Sequence, residues 1–321
     1  MKGKYRVTVE NKKIRYDFEI RRNITIIKGD SATGKTTLVD MIAEYEADAE
    51  NSGIYLQCEK NCRTLQGRNW ESVLTTIHDS IIFIDEGNYF ITSKDFANAI
   101  QKSDNYFVLV TRDALPMLPY SVEEIYGIRN SGKYGTLKKV YNEMYHIYSD
   151  FIPKGEIRPE LVIAEDSKSG FQFFQAVTKH NEIACISAEG KSNIYDILNT
   201  NRDKKILVIA DGAAFGPEME KVMAFLHDEK DCHIYLPESF EWLILKAGVV
   251  NDTDIRHILD YTWEYVESSK YVSWERFFTA LLTERTTDTY LAYNKSKLNS
   301  VYTNGIIKDS ILEQMQGIEI K

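Results

Sequence analysis

Apolar and polar residues alternate at Tyr5-Arg6-Val7-Thr8-Val9 and again from Ile14 to Ile20, with Glu10-Asn11-Lys12-Lys13 between them. A period of two on either side of a polar turn predicts a β-hairpin. The apolar run Ile24-Thr25-Ile26-Ile27 follows, then a loop bounded by Gly29 and Gly34, then Thr37-Leu38-Val39-Asp40-Met41-Ile42. These read as strand, loop and helix. Further strands are expected from Gly53 to Gln57, over Ser80-Ile81-Ile82-Phe83-Ile84 and over Tyr106-Phe107-Val108-Leu109-Val110, with helical spacing from Trp70 to Ile77. Pro116 and Pro119 break the path, and the tyrosines between 120 and 150 are assigned to packing.

Two prolines and a glycine between Phe151 and Glu160 mark a linker. Beyond it a second series begins, with strands expected at Leu161 to Ala164, Ile183 to Ser187, Lys205 to Ala210 and His233 to Leu236, and helices in the gaps. From Thr253 onward the spacing turns helical, through Ile255, Ile258, Leu259, Thr262 and Val266 and then Trp274, Phe277, Phe278, Leu281 and Leu282, predicting helices that cover the second sheet. The expectation is an α/β chain in two domains: 1–150 with a parallel-rich sheet, and 161–321 with a helical C-terminal extension, joined by a linker over 151–160.

Composition narrows the partners. A length of 321 residues gives each domain enough chain for its own core. The net charge of −9 falls almost wholly on the second half, so no bulk basic face for nucleic acid is visible. No apolar run reaches membrane-spanning length, and the basic start leads into alternation rather than an apolar segment, so a cytoplasmic protein without membrane contact is expected. Cys58 and Cys62 are spaced C-x-x-x-C, but no second ligand pair accompanies them and all four cysteines read as reduced thiols.

The loop carries the first chemistry. Gly29-Asp30-Ser31-Ala32-Thr33-Gly34-Lys35-Thr36 has the spacing G-x-x-x-x-G-K-T between a strand and a helix. In such a P-loop the glycines let successive N–H groups face the phosphates, and the helix dipole points at the anion. Lys35 reaches the β- and γ-phosphates, and Thr36 places its hydroxyl on Mg²⁺. Thr37 follows in the same first helical turn. Asp85-Glu86 ends a buried strand as a Walker B pair does. Asp85 is expected to bind Mg²⁺ and Glu86 to orient and deprotonate the attacking water. Thr111 and Arg112, after the next strand, are candidates for sensing the γ-phosphate. ATP is preferred to GTP because no Asn-Lys-x-Asp motif stands in the expected place.

The hairpin, P-loop and Asp-Glu pair together resemble the ABC-type ATPase heads of chromosome-maintenance, recombination and OLD-family proteins, although no LSGGQ-like signature precedes Ser80. In the second half, Glu165-Asp166 and Asp211-Gly212 stand at strand ends, where open parallel sheets place their sites. This order resembles a Toprim domain. The resemblance makes Glu165 the general acid/base and Asp211 the first aspartate of a metal-binding Asp-x-Asp, with Glu241 or Glu238 as a further acid and Gly190-Lys191-Ser192-Asn193 as a glycine turn. Ala213 stands where the second aspartate is expected, and Asp166 where glycine is usual.

The resemblance to OLD-family ATPase-nucleases implies ATP and Mg²⁺ as cofactors and DNA or RNA as partner, with a second copy or a partner protein left open. It also implies metal-dependent nucleic-acid cleavage governed by ATP hydrolysis, in a phage-defence setting. The alternative is a nucleotide-dependent regulatory protein whose Toprim-like domain does not cut. A small-molecule phosphotransferase is disfavoured by Glu86.

Overall fold

The computed structural model describes residues 1–29, 33–131, 139–148, 157–229, 231–250 and 252–320. Most of the expected linker lies outside these; within them, Ile157 forms a parallel bridge with Ile318. The chain is mixed α/β and divides into two compact units, Met1–Ser149 with Tyr261–Ser273, and Asp150–Asp260 with Trp274–Lys321.

The first unit contains β1 (Tyr5–Glu10), β2 (Ile14–Ile20), β3 (Ile24–Ile27), α1 (Lys35–Asp48), β4 (Tyr55–Gln57), β5 (Asn61–Thr64), α2 (Trp70–Leu74), β6 (Ser80–Ile84), α3 (Lys94–Lys102), β7 (Tyr106–Val110), β8 (Ile125–Asn130) and β9 (Val140–His146). They form one sheet of order β4-β1-β2-β9-β8-β3-β7-β6-β5. The hairpin is antiparallel, pairing Tyr5 with Ile20 and Glu10 with Arg15. From β8 to β5 every neighbouring pair is parallel. The outermost strands, β4 and β5, are separated in sequence only by residues 58–60. Four Cα–Cα steps span at most about 15 Å, so the sheet curls until its two ends adjoin. Helix α1 lies in the concavity and contacts β1, β4, β5 and β6. Its Leu38, Val39, Met41 and Ile42 share one core with Val7, Val9 and Phe18 of the hairpin and Ile81 and Phe83 of β6.

Residues 261–273 depart from the expected continuous second domain. The Met1 amino group donates to Ser268 Oγ at 2.8 Å and pairs with Glu267. The amide of Asn23 donates to the carbonyls of Ser268 at 3.3 Å and Tyr271 at 2.9 Å. Thr262 and Val266, read from spacing as helix on the second sheet, are buried in this segment of the first unit, which holds only a 3₁₀ turn at Thr262–Glu264.

The second unit contains β10 (Leu161–Ala164), α4 (Ser169–Thr178), β11 (Ala184–Ser187), α5 (Ile194–Thr200), β12 (Ile206–Ile209), α6 (Met219–Asp228), β13 (Cys232–Tyr235), α7 (Phe240–Lys246), α8 (Ile255–Asp260), α9 (Trp274–Thr286) and α10 (Gly305–Leu312). Its four strands are all parallel, in order β11-β10-β12-β13. The chain leaves β10 toward β11 and then crosses back to β12. The carboxyl ends of β10 and β12 therefore flank the switch point, where such sheets hold their sites.

Candidate functional site

In the first unit, β3 delivers the chain to the glycine loop. Asp30, Ser31 and Ala32 lie outside the described residues. Gly34 enters α1 with φ +91°, and a Cβ there would lie 2.7 Å from the Tyr16 hydroxyl, so both torsion and space call for glycine. The Tyr16 hydroxyl donates to the Gly34 carbonyl at 2.7 Å and is also hydrogen-bonded with Asn142 and Thr37. Burial raises the Tyr16 phenol above its ordinary range. Lys35 is buried and donates to the Gly29 carbonyl at 2.7 Å and to Thr33 Oγ1 at 3.1 Å, which fixes the ammonium against the loop.

The sheet order brings the other residues to this point. β7 lies between β3 and β6, so Thr111 and Arg112 stand between the loop and Asp85-Glu86. Thr36 Oγ1 donates to Asp85 Oδ1 at 3.5 Å. These two hard oxygens fit Mg²⁺, which takes one or two protein ligands and completes its shell with phosphates and water. Arg112 grips Glu86 as a fork, Nε to Oε2 at 3.1 Å and Nη2 to Oε1 at 3.0 Å. Thr111 is buried and turned to the backbone of Asp113, with its hydroxyl donating to that carbonyl at 3.1 Å. The sequence reading did not assign Tyr16 and Asn142 to the loop; nothing in an alternating strand distinguishes a tyrosine that props a loop from one that packs.

In the second unit, Glu165 and Asp166 follow β10 and Asp211 follows β12. The Asp211 N–H donates to Glu165 Oε2 at 2.8 Å, the Phe240 N–H to Asp211 Oδ1 at 3.2 Å, and the Phe171 N–H to Asp166 Oδ1 at 3.2 Å. A Cβ on Gly212 would lie 2.9 Å from the Leu236 carbonyl oxygen, so glycine is what lets this turn press against the end of β13. Glu165, Asp166, Gly170, Asp211 and Phe240 help line a cavity of about 20 Å³, enough for about one water-sized sphere.

Desolvation, with Glu275 and Asp166 adding repulsion, pushes the Glu165 carboxyl up to about 7 against the pull of the Asp211 N–H and Lys191. Burial, then Glu275, Glu165 and Glu241, hold Asp211 well above the usual carboxylate range. Burial lowers the Lys191 ammonium, which donates to the Ala214 carbonyl at 2.6 Å. Glu241, in the first turn of α7, is buried and turned toward the C-terminal segment. Its Oε1 accepts from the Tyr293 hydroxyl at 2.6 Å and lies 3.4 Å from Lys295 Nζ. The Tyr293 hydroxyl also meets Ser169 Oγ at 2.6 Å, and Lys295 donates to Glu275 Oε1 at 2.7 Å.

Sequence reading located Glu165, Asp211 and Glu241; it weighed Tyr293 and Lys295 as contacts to a substrate backbone against a solvated face, and passed over Glu275 and Ser169. Among the described residues, no group of three or more His, Cys, Asp or Glu side chains is set to hold a metal ion. No described helix is long and apolar enough to cross a membrane. Set against known proteins, the chain matches no family model and has no significant match to a curated protein sequence.

Proposed function

We propose that this chain is a P-loop ATPase whose nucleotide cycle governs a Toprim-like unit that engages nucleic acid. The observation that carries the reading is the convergence of Lys35, Thr36 and Asp85 at the carboxyl edge of one sheet, with Glu86 held beside them by Arg112. In this reading Lys35 neutralises charge on the β- and γ-phosphates, and Thr36 and Asp85 would hold Mg²⁺, which draws charge from the transferring phosphoryl group. Glu86 orients a water and takes its proton. Arg112 positions Glu86, and moving the guanidinium to the γ-phosphate would leave the carboxylate for the water.

Steady-state ATP hydrolysis tests this. Lys35→Ala is expected to abolish turnover, whereas Glu86→Gln retains ATP binding and slows hydrolysis by about 10²- to 10⁴-fold. Turnover by Lys35→Ala at the wild-type rate would remove the assignment.

Two readings of the second unit follow. In the cutting reading, Glu165 serves as general acid/base for metal-assisted phosphodiester hydrolysis, with Asp211 and Glu241 as ligands. In the regulatory reading the unit binds without cutting. The second is favoured by Ala213, which is buried where a carboxylate is expected, and by Lys295 among the acids. Plasmid, single-stranded DNA and tRNA incubated with Mg²⁺ or Mn²⁺, with and without ATP, separate the two. Cleavage that Glu165→Ala abolishes would establish the cutting reading.

A further inference from the structure

A divalent metal needs carboxylate oxygens that are free to turn toward one point, even where only one or two come from the protein. In the second unit the acids already serve other partners with at least one oxygen each. Glu165, Asp211 and Asp166 each give an oxygen to a backbone N–H, and Glu241 gives Oε1 to Tyr293 and Lys295. The cavity between β10 and β12 is small, about 20 Å³, room for about one water-sized sphere. What stands among the carboxylates is an ammonium group. Lys295 Nζ lies 2.7 Å from Glu275 and 3.4 Å from Glu241, and it attracts Asp211 as well.

We infer that Lys295 supplies the positive charge that a divalent cation supplies in Toprim-like sites, so that the second unit operates without a bound metal. The inference rests on the Toprim-like reading of this unit, and the donor set does not fit the metal which that resemblance implies. Lys295 is held for the task from two sides. Its carbonyl accepts the Ser169 N–H at 2.9 Å, at the start of α4, and its Nζ lies 3.4 Å from Thr279 Oγ1 on α9. Within this cluster Glu241 Oε2 is buried without a hydrogen-bond partner. Removing the ammonium would leave Glu241, Glu275 and Asp211 as an uncompensated acidic set open to a cation.

The experiment is Mn²⁺ binding to the nucleotide-free chain of 321 residues, followed by electron paramagnetic resonance. Wild type is expected to show no Mn²⁺ site that Asp211→Asn removes. Lys295→Met is expected to gain one that wild type lacks and that a further Asp211→Asn removes, and Lys295→Arg is not. A structural role alone would leave Mn²⁺ affinity unmoved. A wild-type Mn²⁺ site lost in Asp211→Asn would overturn the inference, as would a folded Lys295→Met that gains none. Should Lys295→Met fail to fold, the comparison of wild type with Asp211→Asn decides alone. The Lys35 and Glu86 assays read the first unit separately, so a failure here leaves the ATPase reading standing.

Discussion

Tyr16 and Gly34 show how a single contact joins the hairpin to the glycine loop. The phenol occupies the space a side chain at 34 would need, and its hydroxyl satisfies the Gly34 carbonyl at 2.7 Å. Gly34→Ala therefore meets both a left-handed torsion and a clash, and is expected to cost at least about 1 kcal/mol and to weaken ATP binding, as urea unfolding and nucleotide titration would show. The loop's glycines and Lys35 were legible because their spacing is itself the chemistry; Tyr16 was not, because its role depends on a partner 18 residues away.

Glu165 gives a pH prediction of definite sign. Its folded carboxyl titrates near 7 against an ordinary 4.5. The folded state thus holds a proton the unfolded state has lost. That contribution is complete below the ordinary value and disappears as pH rises through 7, a change of about 3 kcal/mol. Glu165→Gln imitates the protonated form, so its stability relative to wild type should rise between about pH 5 and about pH 8. Parallel unfolding curves at both pH values would refute this.

At the scale of elements, the two sheets use the same device. Parallel strands end on one edge, and each candidate site gathers residues from different strand ends. The strands the sequence revealed best, β3, β6, β7, β10 and β12, are near-continuous apolar runs, whereas β8, four of whose six residues are buried, went unread because Gly127 and Arg129 interrupt its apolar pattern. β5 escaped notice because only Cys62 of its four residues is buried, and β9 because none of its seven is. The segment 261–273 was misplaced for a related reason. Its apolar residues fit a helical period, but spacing cannot tell which core they enter. Asn23, buried and donating twice to that segment, tests the placement. Asn23→Ala is expected to destabilise the first unit by about 1–3 kcal/mol, seen as a lower midpoint in the unfolding transition that Gly34→Ala also lowers. No change in that transition would mean the segment contributes nothing to the unit.

For the molecule as a whole, the division into two units followed from the Pro-rich stretch near 151–160 and from two separate runs of strands. The return of the chain did not. A linker has a compositional signature, whereas a later excursion into the first unit has none, since its residues are those of any buried segment. The strand-end acids and the Toprim resemblance led to the expectation of a metal centre; in the structure those acids accept from backbone N–H groups, and Glu241 and Glu275 meet Lys295.

The excursion at 261–273 also sets an order of events on the ribosome. The amino terminus meets Glu267 and Ser268 only after residues 150–260, the larger part of the second unit, have been made. At ordinary translation rates this delays completion of the first unit by roughly five to twenty-five seconds. A message broken anywhere in that interval yields a first unit without its final segment. The first unit is complete only once most of the second has been synthesised.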